Sequence, residues 1–102
     1  MLNDKMTHER CIEEEAGTPT LTVELENTAR MIPWSAFVSG SYEKDRIELA
    51  FVGWSISLEG ERLDELWASL QLQDVRILRA LPEGDDNDCL IRTLSMVEVT
   101  DV

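Results

Sequence analysis

Two groups of residues in this 102-residue chain have the types and spacing that could do chemistry. His8 and Cys11 lie three positions apart, and Cys89 is the only other thiol. A tetrahedral zinc site takes four nitrogen or sulfur ligands, so one histidine and two cysteines would have to recruit carboxylates from elsewhere. Asp85, Asp86 and Asp88 offer hard oxygens suited to calcium, but the glycine and terminal glutamate spacing of an EF-hand loop is missing. The run Leu81-Pro-Glu-Gly-Asp-Asp-Asn-Asp reads instead as a solvated turn, since Asp and Asn favour turns on conformational grounds. Nucleophilic catalysis by serine or cysteine needs a neighbouring base, and the single histidine falls in a segment that reads as a tail. Carboxylates are abundant, yet none stands beside an apolar pocket that would raise its pKa for acid catalysis. The five glycines are isolated, so no phosphate-cradling loop is present. The chain is therefore expected not to be an enzyme, with no catalytic residue, no metal and no cofactor.

Charge narrows the partners. Twenty-one acids against nine Lys and Arg leave a net charge of -12. Such a chain repels nucleic-acid phosphates and anionic membrane surfaces, so direct binding to either is not expected. The hydrophobic fraction of 43% is ordinary for a globular protein, and a chain this size buries roughly two-thirds of its unfolded surface. No apolar run approaches the ~20 residues of a membrane-spanning helix, and the N-terminus has no apolar signal core. The expected compartment is the cytoplasm, with reduced thiols.

Hydrophobic periodicity supplies the elements. Residues 1–18 mix charges with sparse apolar groups and read as a flexible acidic tail of little consequence for stability. Residues 19–102 read as a single domain. Leu21, Val23 and Leu25 alternate with Thr20, Thr22 and Glu24, a half-buried strand opened by Pro19. Met31 to Val38 is apolar without a clean period; Pro33 suits a short helix or tight turn, and Trp34 is placed at the edge of the core. A weak strand follows from Phe37 to Tyr42. Ile47, Leu49 and Phe51 form the next, and Trp54, Ile56 and Leu58 the one after, joined through Val52-Gly53. After Gly60 the period changes, with Leu63, Leu66, Trp67 and Leu70 on one helical stripe. Two further strands carry apolar groups on both faces. In one, Val75, Ile77 and Leu81 oppose Leu78 and Ala80; in the other, Ile91, Val97 and Val99 oppose Leu90, Leu94 and Met96.

The expected fold is α+β, a mostly antiparallel sheet of about five to six strands in the order β, short helix, three β, α, two β. The single helix covers one face, and the sheet either curls into a roll or leaves its other face apolar. Large exposed apolar patches mark interaction surfaces, so Trp54, Leu78, Leu94 and Met96 are the candidate interface residues. The function expected is that of a small acidic cytoplasmic interaction module, bound to a second copy of itself as a homodimer or to another protein. The alternative is an acidic inhibitor or immunity-type protein that covers a basic surface by charge complementarity.

Overall fold

The computed structural model describes residues 10–81 and 90–99. These described residues form a sheet-rich α+β domain with one α-helix and two four-stranded sheets, where a single sheet was expected. Strand β1 is Ile12–Glu14, β2 Thr20–Glu24, β3 Ala29–Pro33, β4 Phe37–Glu43, β5 Arg46–Phe51 and β6 Trp54–Glu61. Helix α1 is Asp64–Gln71, followed by β7 at Val75–Arg79 and β8 at Leu90–Glu98. The first sheet runs β1-β7-β2-β3 and the second β4-β5-β6-β8. Every pair is antiparallel except β2 with β7.

Alternation places the strands as expected in the meander β4-β5-β6. Ile47, Leu49 and Phe51 are buried while Arg46 and Glu48 face out, and Ile56 and Leu58 repeat the pattern. Val52 and Gly53 alone join β5 to β6, and Gly53 takes a φ of 88°, a value that costs glycine little. Leu63, Leu66 and Leu70 are buried as the helical stripe requires, and Trp67 is half-buried with its ring 5.5 Å from that of Tyr42. Gln73 leads out of the helix in the left-handed region at φ 56°, where a glycine stop is commonest.

Two strands were missed, and each had a physical disguise. The Met31-Ile32-Pro33 stretch has one buried residue, Ile32, so β3 shows no alternation of its own; its pairing with β2 defines it. The supposed tail is the second case. Residues 10–18 belong to the domain, because β1 pairs with β7 and Cys11, Ile12 and Thr18 are buried. The Cys11 sulfur accepts the Ile91 N–H at 3.1 Å, and its carbonyl accepts the Arg79 N–H at 2.8 Å. Three residues suffice here because long-range pairing replaces the local stripe that a lone strand would need. Residues 1–9, with His8, lie outside the described residues, as do Cys89 and the Asp85, Asp86 and Asp88 loop.

The two-sided apolar pattern of the last strands has a different origin from the one expected. Glu13 lies opposite Ile77 but Glu14 opposite Val75, so Arg76 is an extra residue in β7. Likewise Glu59 lies opposite Thr93 and Gly60 opposite Ile91, which leaves Arg92 extra in β8. Each bulge inverts the alternation once. Val75 and Leu78 thus both reach the core in β7, and Ile91 shares a side with Leu94 and Met96 in β8. The core is closed by the second sheet rather than by the helix alone.

Trp34 packs where the two sheets meet, and Gly60 permits a close approach within the second sheet, between β6 and β8. Trp34 lies in a 3-10 turn, Trp34–Ala36, between β3 and β4. Its indole Nε1–H donates to the Val75 carbonyl at 3.0 Å, and its ring lies 5.7 Å from Phe37 and 5.5 Å from Phe51. At Gly60 a β-carbon would stand 1.8 Å from the Leu90 carbonyl oxygen, so backbone meets backbone with no room for a side chain. Truncating the buried Leu66 to alanine is expected to cost about 2–5 kcal/mol through lost burial and a residual cavity. Gly60→Ala should cost more, because rigid backbone and no flexible side chain must yield. Urea midpoints measured side by side check the order; Gly60→Ala as stable as wild type would show that β8 can move away.

Candidate interaction site

Arg79 sits on the interior strand of the first sheet, between β1 and β2, with Glu24 directly opposite in the parallel register. Only 8% of the residue is exposed. Its Nε donates to Glu24 Oε1 at 2.9 Å and its Nη2 to Glu24 Oε2 at 3.3 Å, a two-pronged contact. Nη2 also donates to Glu13 Oε2 at 3.0 Å and Nη1 to the Arg10 carbonyl at 2.7 Å. The planar guanidinium with its fixed fork of donors fits this geometry where an ammonium would not. Its proton is held even more firmly than usual, first by the Glu24 hydrogen bond, against the opposing cost of burial. The same bond holds the Glu24 carboxyl below its ordinary pKa. Arg76, on the bulge, extends the network to Glu13 at 2.8 Å and Glu15 at 3.3 Å. Arg79 and Glu24 are thus held in their charged forms, and the cluster joins β7 to both of its neighbouring strands.

Beside the clamp is a cleft of about 600 Å³, bordered by Glu24, Leu25, Arg79, Leu81, Arg92 and Leu94. It separates the ends of β2 and β7 from β8. Arg92 reaches Glu61 at 3.2 Å on the same sheet. Among the described residues, no three metal-capable side chains come together.

The four candidate interface residues fall in three environments. Leu78 is fully buried opposite Val23 and Ile12 and cannot meet a partner, because the bulge at Arg76 turns it inward. Trp54 is half-buried at the end of the core, and the Arg30 guanidinium from β3 stacks 4.5 Å over its ring, a cation–π contact that covers it. Leu94 and Met96 are half-buried on β8, opposite Leu58 and Ile56.

Among the described residues strand β8 is an edge, with β6 as its strand neighbour. The other three edges are blunted. Strand β1 has only three residues, β3 ends in Pro33, and β4 is irregular between Phe37 and Ser39. Short length, proline and bulges are the usual protections of a sheet edge. At the start of β8 the Ile91 carbonyl takes the Leu81 N–H at 3.0 Å. From Thr93 to Glu98 the strand keeps regular register with β6, and among the described residues no strand pairs with its other edge. The alternation of this segment is visible in the sequence; its position at an edge depends on strand order, which is not.

Depression of the Glu24 pKa has a definite sign in stability. A carboxyl held lower in the folded than in the unfolded chain stabilises above its unfolded value, and that contribution is lost as pH falls through the folded value. The stability gap between wild type and Glu24→Gln should therefore be widest at neutral pH and narrow below about pH 4.5. Thermal midpoints across the acid range check this; a gap independent of pH would assign the effect to shape alone. Comparison with protein-family models, with curated proteins and with solved structures found no match in any of the three.

Proposed function

We propose that the protein is a non-enzymatic interaction module that takes a protein strand along the open edge of β8. The carrying observation is the regular run Thr93–Glu98, an unblunted edge that also holds the half-buried Leu94 and Met96. Strand addition draws affinity from main-chain hydrogen bonds and selectivity from alternate side chains, and this edge offers both. Its inner side supplies Leu94 and Met96, and its outer side Thr93, Ser95 and Val97, with Val97 59% exposed. A reducing cytoplasm suits the buried free thiol of Cys11. Among the described residues no helix is long and apolar enough to cross a membrane.

Net charge favours a second reading, in which the acidic surface covers a basic one. The two readings separate by salt. A partner held by strand pairing should stay on immobilised protein at high salt and should slow amide exchange over Thr93–Glu98. A partner that washes off with salt and leaves those amides unchanged would reject the edge reading and support the acidic inhibitor.

A further inference from the structure

We propose that a hollow beside Gly40 is a binding site for a small uncharged aromatic molecule with an amide-like hydrogen-bonding edge. It lies by β4, at the opposite edge of the second sheet from β8, and does not depend on the β8 reading.

The hollow begins as a missing side chain. Along β4, Phe37, Gly40 and Tyr42 stand opposite Phe51, Leu49 and Ile47, the buried residues of β5. Residues opposite one another share a face, so these three positions look toward the core and the middle one has nothing to fill it. Helix α1 leaves the gap open. Trp67, Leu70 and Gln71 of the helix, with Gln73 just beyond it, border a space of about 300 Å³ against Phe37, Gly40 and Leu49.

The lining selects the occupant. Phe37 and Trp67 are half-buried rings, Leu49 and Leu70 are buried, and the exposed Gln71 and Gln73 supply the polar groups. In a chain of which 29% is charged, none of these lining residues carries a charge. The net charge of -12 repels anions, and no carboxylate lines the hollow to hold a cation, so the fitting ligand is neutral. Small-molecule sites are concave and mostly apolar with a few orienting polar groups, and this volume is at the low end of their range. One or two fused rings suit it, held by edge or offset contacts with Phe37 and Trp67. A free molecule fits better than a peptide, because the irregular register between Phe37 and Ser39 offers a peptide backbone no even ladder there.

Gln73 is a second, independent sign. Its φ of 56° costs glycine little and other residues more. A glutamine is kept at that cost on the border of the hollow, and strained residues cluster at ligand sites.

Two neutral probes with the same rings, naphthamide and naphthalene, test the site by NMR titration of the isotope-labelled full chain. Naphthamide should shift the Trp67 indole N–H signal saturably, and should bind about threefold to tenfold more tightly than naphthalene through its amide. Gly40→Val fills the hollow, and its β-carbon first meets the flexible end of Leu49, at 3.0 Å. This variant should weaken naphthamide by about tenfold or more, as a filled pocket excludes the ring. Gln73→Gly relieves the backbone, so it should raise the urea midpoint and yet shrink the preference for naphthamide over naphthalene. That opposition of stability and binding is what a merely structural Gln73 would not produce, and it holds the test open should Gly40→Val fold poorly. No shift at Trp67 up to millimolar probe overturns the proposal. So does a shift that Gly40→Val leaves unchanged, or a preference for naphthamide that Gln73→Gly does not alter.

Discussion

Trp34 stands where the chain leaves the first sheet for the second, and its indole N–H must find an acceptor because only 4% of the residue is exposed. An unpaired polar group at such depth would cost about 1–3 kcal/mol. The acceptor it finds, the Val75 carbonyl, lies on a strand 41 residues further along the chain. One bond therefore ties the short turn to β7, while the ring packs against Phe37 and Phe51 of the opposite sheet. The backbone N–H of Trp34 is also fixed, to the Pro19 carbonyl at 2.9 Å. Trp34 is thus held at both ends, by hydrogen bonds toward the first sheet and by ring contacts with the second.

How far the sequence could be read depended on whether local period and tertiary pairing agreed. Where strands alternate without interruption, at Ile47 to Leu58, residues and faces followed directly. The helical stripe at Leu63 to Leu70 was equally plain. Period failed at Arg76 and Arg92, where an inserted residue turns an alternating pattern over, and two normal one-sided strands then look two-sided. Strands β1 and β3 were invisible for another reason: they are short, and their partners lie far off or carry the pattern for them. Of the candidate site, the apolar alternation of Leu94 and Met96 was legible. Its edge position was not, since strand order is a property of the folded chain. Arg79 showed only as an interruption in an apolar run; the glutamates that explain it lie in two other strands.

Charge has two roles in this molecule. Most of the acidic residues are exposed, where ion pairs such as Arg46 with Glu48 or Glu59 contribute little in water. The Arg79 cluster is different because it is shielded and the geometry is two-pronged. It holds β1 and β2 against β7 from the outer side, at a place where an apolar residue would have left an exposed patch. Removing one member would strand a shielded charge, a larger cost than the net worth of the cluster.

The parallel pairing of β2 with β7 has a consequence for the order in which the chain can assemble. Thr22 meets Ile77 and Glu24 meets Arg79, so the interior of the first sheet is built from segments 55 residues apart. During synthesis β1, β2 and β3 emerge first, yet β1 has no partner, and β2 only one, until β7 leaves the ribosome. The β4-β5-β6 meander needs only its own two short turns and can close early, since loop-closure entropy is small there. Contacts of such long sequence separation slow folding. Residues 12–24 thus wait for their interior partner while the β4-β5-β6 meander closes, and the first sheet is completed only once β7 is made.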